Sequence, residues 1–311
     1  MGQREQAEYD ALIIVTAKDM ERTKRLYYKI AQNLPVRTIY VIGSEKVGAL
    51  IAELNEPKIA YINENEIVPF DEVKAIIEDI VKQPTSRGFV GWYYQQFLKL
   101  AYAYRCEDEY YLTWDGDTIP VRPVTMFSED GKPCIDWKRE YHEPYFKTIS
   151  KLFPGMRKAI EPSFIGEHML FSTVYVKKML DELMTADHLC GKTFYERILR
   201  VMSVEELNDT GFSEFETFGT YMAFRAPYFY KLRRWTSFRN CGQYFSADDI
   251  SEDEMSWLAA DFSAISFEKG HIPEEGYDFF RNKEYQQKLS ARYILQVVQE
   301  ESTEGYKETW D

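Results

Sequence analysis

The chain reads as an α/β protein, an open and largely parallel sheet with helices on its faces. Two observations predict this class. Short apolar runs of strand length, ALIIVTA (11–17), TIYVIG (38–43) and KIAYINE (58–64), recur early in the chain and are continuous rather than alternating, as in strands buried on both faces. Helix-length polar or amphipathic stretches separate them with short connections, the order of a doubly wound sheet. A third observation bears on domain count: no internal repeat, low-complexity tract or Pro/Gly-rich linker divides the 311 residues. One domain over 1–311 is therefore expected, more regular over about 10–125 and less regular over about 126–311.

Each element has its own signal. After the first apolar run comes a polar helix through Arg25, Leu26 and Ile30; Gly43 closes the second strand, and a short helix leads to the third. A helix over 71–82 stops before Pro84. The stretch WYYQQFLKLAYAY (92–104) puts Phe97, Leu100, Ala101 and Tyr104 on one face, the spacing of an amphipathic helix. It runs into YYLTWDGDTIPV (110–121), read as one strand whose C-terminal part carries two aspartates. Beyond it SFIGEHMLFS (163–172) reads as a strand, VYVKKMLDELM and 194–201 as helices, and SEFETFGTYM as a segment opening like a helix. Short β-like pieces over 234–245, a helix near 253–261, the strand AISFEKG and a long helix over 284–300 complete the chain.

Composition narrows the function. A net charge of −13 argues against a nucleic-acid partner, which needs a basic face. The acidic residues thicken at Glu300, Glu301, Glu304 and Glu308 and read as solvated surface. Aromatic residues make up 16%, with 23 Tyr and 20 Phe; rings with polar tips suit clefts that hold sugars and bases. Cys106, Cys134, Cys190 and Cys241 are widely spaced without a C-x-x-C pair, as for reduced thiols in a cytoplasmic protein. The polar N-terminus carries no export signal and no run is long enough to span a membrane, so the expected location is cytoplasmic, with peripheral attachment at the inner membrane face left open.

The sharpest chemical signal is Trp114-Asp115-Gly116-Asp117-Thr118. In an extended chain residues i and i+2 share a side, about 6.5 Å apart. Two carboxylates so placed at the carboxyl end of a strand, where open α/β sheets bind ligands, suit a divalent cation (Mn2+ or Mg2+) that clamps a diphosphate. Asp115 and Asp117 are thus the candidate metal ligands, Asp115 also a candidate contact to the ribose, and Gly116 leaves room for a close ligand. The alternative is a surface turn. Glu167-His168 interrupts an apolar run, which is costly unless the pair faces a cleft or is satisfied in the core. His168 is accordingly a candidate acceptor-side residue or a core histidine, and His142, in the loop after the aspartates, a second acceptor-side candidate.

The order of elements and the strand ending in WDGDTIPV resemble the GT-A glycosyltransferase fold with its D-x-D motif. The blocks GWYYQQFLKL, WDGDTIPV, SFIGEHMLF and SEFETFGTY resemble an uncharacterised bacterial family of GT-A-like sugar transferases associated with surface-polysaccharide synthesis, over about residues 12–228. The resemblance implies a Rossmann-like nucleotide-sugar-binding half and an acceptor-side half. It further implies a UDP- or GDP-type nucleotide-sugar donor and a saccharide or lipid-linked acceptor. Donor contacts would come from Thr16, Lys18 and Asp19 after the first strand, and from Arg87, Gln95 and Lys99 on the helix before the aspartates. The alternatives are a helix cap by Asp19 and a solvated face for Lys99. The resemblance implies a carboxylate base at the start of a late helix, hence Glu214 or Glu216; Ser213 with Glu216 also fits a capping box. His271, after Gly270, would complete the metal shell or lie in an ordinary surface loop. Two rivals stay open: a nucleotidyltransferase, which would normally carry a glycine-rich loop where TAKDMERTKR has none, and a non-catalytic binding module on the same fold.

Overall fold

The computed structural model describes residues 8–273, 276 and 278–301. The first seven residues and the acidic Glu304 and Glu308 lie outside them. In chain order the first half comprises β1 (Asp10–Ile14), α1 (Ala17–Thr23), α2 (Tyr27–Asn33), β2 (Ile39–Gly43), α3 (Glu45–Leu54), β3 (Ile59–Asn63), α4 (Phe70–Val81), α5 (Arg87–Ala101) and β4 (Tyr110–Trp114). There follow β5 (Thr118–Pro120), β6 (Cys134–Trp137), α6 (Glu143–Leu152), β7 (His168–Ser172), α7 (Thr173–Thr185), α8 (Phe194–Val201), α9 (Val204–Asn208) and α10 (Glu214–Arg225). The last elements are β8 (Lys231–Arg234), β9 (Ser237–Phe238), α11 (Glu252–Ala259), β10 (Ala264–Ser266), α12 (Lys283–Lys288) and α13 (Ala291–Glu301).

The main sheet has the order β3–β2–β1–β4–β7. β1, β2, β3 and β4 run parallel and β7 is antiparallel to β4. The expected α/β class with a parallel-rich sheet is therefore present. The chain builds outward from β1 to β3 and then returns to β4 on the other side of β1. The carboxyl ends of β1 and β4 flank this reversal, the place where such sheets bind ligands. Side-chain alternation splits the core between the two faces. Ala11 and Ile13 pack with Leu26, Tyr27 and Ile30, while Leu12 packs with Val90, Tyr93 and Phe97 of α5. The second half adds two small sheets, β5–β10–β9 and β6–β8; β5 lies against α2 and β6 against β7.

Five elements differ from the sequence reading; one is the strand expected over 163–172, which begins only at His168. The expected strand over 110–121 breaks after Trp114, and its two parts join different sheets. The helix expected from residue 92 starts at Arg87, because Ser86 Oγ accepts the Phe89 amide (3.2 Å) and caps it. The first helix is interrupted by a 3-10 turn at Lys24–Leu26. The long C-terminal helix is two, since Leu289 is extended and Ser290 Oγ accepts the Tyr293 amide to begin a new one.

Candidate active site

Asp115, Gly116 and Asp117 form a tight turn at the carboxyl end of β4, closed by the Thr118 amide donating to the Asp115 carbonyl (3.1 Å). The extended i, i+2 geometry expected for the aspartates is thus replaced by a turn. Glycine is needed here for packing: a Cβ on Gly116 would lie 3.0 Å from Ile13 Cγ2 and 3.1 Å from the Tyr27 hydroxyl. Thr23 Oγ1 (3.1 Å) and the Tyr27 hydroxyl (3.4 Å) donate to the Gly116 carbonyl, which fastens the turn to the first helices. The Phe267 amide donates to the Asp117 carbonyl (2.9 Å), so the end of β10 borders the turn as well.

Lys99 organises the site. The residue is only 4% exposed, and its ammonium lies 3.0 Å from Asp115 Oδ1 and 2.8 Å from Glu214 Oε1. Burial opposes its charge, yet the two carboxylates outweigh burial and raise its pKa above the ordinary lysine value. Lys99 is therefore a fixed internal cation joining α5, the turn and the start of α10. Gln96, one helical turn earlier on the same face, accepts the Glu214 amide on its Oε1 (3.0 Å). The neighbouring Gln95, expected as a donor contact, is half-buried on a different face. Helical spacing already places Gln96 near Lys99, but the sequence reading assigns the donor contact to Gln95 rather than to it.

The two candidate bases separate. Glu214 opens α10 beside Lys99. Glu216 carries half of a cap, its amide donating to Ser213 Oγ (3.2 Å). Its carboxylate does not complete the box but accepts from the Ser163 hydroxyl (2.7 Å) and the Phe164 amide (3.1 Å). Its other oxygen is buried without a partner, and burial raises its pKa above the usual range. Glu216 thus ties α10 to the segment before β7.

Of the two readings, acceptor-side residue or core histidine, the structure has the second for His168. It is 2% exposed, stacks on Trp114 (4.9 Å, 25°) and pairs through Nε2 with Asp136 Oδ2 (2.8 Å); Arg233 engages both oxygens of that carboxylate. It is a core histidine. His142 is half-exposed, donates from Nε2 to the Asp209 carbonyl (2.7 Å) and meets the Tyr145 ring at 4.5 Å. Thr16 caps α1, a role expected of Asp19, accepting the Asp19 amide (3.2 Å) while its hydroxyl donates to the Asp19 carboxylate (2.6 Å). Thr16 and Lys18 are exposed at the carboxyl end of β1, next to the turn. Arg87 pairs with Glu64 (2.6 Å) just past β3 and covers the Phe70 ring. β3 stands three strand spacings from β4, about 14 Å, so Arg87 is far from the aspartates.

The turn suits a hard divalent cation. Asp117 makes no ion pair among the described residues, and burial, then Asp115 and Glu268, push its pKa up to about 7. A carboxylate so disfavoured as an anion is relieved by a bound cation. Among the described residues no three His, Cys, Asp or Glu side chains group to hold a metal. His271 is accordingly not gathered with the aspartates; it packs against Gly242, and its Nδ1 is buried without a partner. Water and ligand oxygens would complete the shell of Mg2+ or Mn2+.

Several solved structures are similar to this chain. Apo mouse xyloside xylosyltransferase 1 matches at 14% identity and a TM-score of 0.45, over 86% of this chain and 99% of that one. The apo WbbM bifunctional glycosyltransferase matches at 12% and 0.44, over 97% of this chain and 53% of its own. The galactosyltransferase LgtC, in complex with donor and acceptor sugar analogs, matches at 13% and 0.40, over 90% of this chain and 100% of its own. No curated protein sequence matches. Residues 15–286 match a family described as "Family of unknown function (DUF6492)", and with most of its length covered the chain belongs to that family.

Proposed function

We propose that this protein is a glycosyltransferase that uses a divalent cation to move a sugar from a UDP- or GDP-type donor to a saccharide or lipid-linked acceptor hydroxyl, in surface polysaccharide or glycoconjugate synthesis. The observation that carries this reading is the contact Asp115–Lys99–Glu214 at the reversal point of the sheet. It joins a carboxylate turn suited to a cation with a carboxylate suited to proton transfer. In this reading Asp115 and Asp117 hold Mn2+ or Mg2+, which when bound neutralises charge on the departing diphosphate. Thr16, Lys18 and Asp19 border the nucleoside at the end of β1. Glu214 takes the proton from the acceptor hydroxyl, which approaches past Tyr145 and His142. Lys99 keeps Glu214 in place and balances Asp115.

Glu214→Gln keeps size and hydrogen bonding but cannot take up the proton. Turnover should fall by about a hundredfold or more, with donor affinity retained. A second reading has its own support, because Glu214 is only 4% exposed and its Oε1 is committed to Lys99. Glu214 would then position Lys99 and Asp115, and the same variant would weaken cation-dependent donor binding. Steady-state kinetics and donor titration on the one variant separate the two. Unchanged turnover and unchanged binding would remove Glu214 from the site.

A further inference from the structure

Behind the turn lies a buried feature to which the reaction as drawn assigns no part. Glu167, 7% exposed, has φ +58°, the left-handed region that glutamate rarely enters, although a glycine stands beside it at 166. Its Oε1 is engaged by the ammonium of Lys138, itself buried, and accepts from Ser237 Oγ (3.1 Å); Lys138 also donates to Ser237 Oγ (2.6 Å). Its Oε2 is buried without a partner. A buried ion pair and a left-handed glutamate are both costly. The carbonyl of this residue accepts the Asp115 amide (2.9 Å), so both coincide at the point where the turn is anchored.

The contacts also close a circuit. Lys138 exchanges backbone hydrogen bonds with Ser163 (3.1 and 2.8 Å), Ser163 donates to Glu216, and α10 leads from Glu216 to Glu214, Lys99 and back to Asp115. Asp115 is thus gripped by its side chain from α5 and by its backbone from Glu167, the residue before β7.

We propose that Glu167 is a positioning residue: its left-handed backbone, locked by the buried Lys138 ion pair, sets the carbonyl that anchors Asp115 and thereby the carboxylate turn. The consequence for cation binding rests on the function proposed above, whereas the anchoring does not. The test is amide hydrogen exchange of the metal-free full chain, with Mn2+ binding followed by the resonance of the free ion as a second readout. The variants are Glu167→Gln and, to leave no buried charge unpaired, the double variant Lys138→Met/Glu167→Gln. In the folded variants the Asp115 amide should exchange at least about tenfold faster while β1 and β2 keep their protection, and Mn2+ affinity should fall. Unchanged exchange at Asp115, or an increase shared equally by the whole sheet, would overturn the proposal. Faster exchange at Asp115 in a protein whose wild type binds no Mn2+ would leave the positioning role standing and remove the cation reading.

Discussion

At Asp117, burial and two neighbouring carboxylates work against ionisation and Arg22 offsets them only in part. A bound cation would relieve this, as it would not need to in a solvated turn. Glu216 is more deeply buried and lies elsewhere, and its consequence is one of stability. Its pKa is raised in the fold, so its contribution is fully present below the unfolded glutamate pKa and is lost as pH rises through the folded value. The stability of wild type relative to Glu216→Gln should therefore decline from about pH 4.5 upward, read by urea denaturation at pH 5 and pH 8. A difference that does not change with pH would contradict the assignment. The pair Asp115 and Asp117 at the end of a strand was legible in the sequence; Lys99 and Glu214 are named there only through a resemblance, Lys99 as a donor contact and Glu214 beside Glu216, and their mutual ion pair is not foreseen. The partners of Gln96, Glu167 and His168 were not legible, since each is distant in the chain: Gln96 meets Glu214, Glu167 meets Lys138, and His168 meets Asp136, which decides between the core and acceptor-side readings that the sequence leaves open for it.

Helix α5 is the element that assembles the site, because Gln96 and Lys99 leave one face of it for the start of α10 and the turn after β4. Its burial makes it costly to disturb. Lys99→Met would leave Glu214 buried and unpaired beside a partly exposed Asp115, and should cost about 3 kcal/mol, the lower end for a broken buried pair. A denaturation midpoint within error of wild type would show that the pair contributes nothing. The elements most legible in sequence were β1, β2 and β3, where continuous apolar runs have one interpretation in a doubly wound sheet. The strand after α5 was misread because YYLTWDGDTIPV keeps strand-like composition across a turn that only tertiary contacts reveal: Trp114 Nε1 donates back to the Thr118 carbonyl (2.6 Å), and β5 pairs with β10 from the far end of the chain. The C-terminal helix was misread because Ser290 acts as a cap inside a helical composition.

The molecule as a whole carries a charge of −13, and the nucleotide sugar of the proposed reaction would be an anion approaching several carboxylates. Asp115, Asp117, Glu214 and Glu268 surround a turn to which Lys99 supplies the internal cation, already shared between two of them. Under the proposed function, binding such a donor without a divalent ion would oppose this field, so the proposed cation dependence would draw on the surrounding charge as well as on two side chains. Among the described residues no helix is long and apolar enough to cross a membrane, and the four cysteines are free thiols, three of them buried. The most direct test of the account is equilibrium binding of a panel of UDP- and GDP-sugars to wild type and to Asp117→Asn, in Mn2+ and in EDTA. The account predicts that at least one donor binds wild type in Mn2+, and that this binding disappears in EDTA and in a folded Asp117→Asn. A panel with no binder in Mn2+, or binding indifferent to both Mn2+ and Asp117, would contradict it.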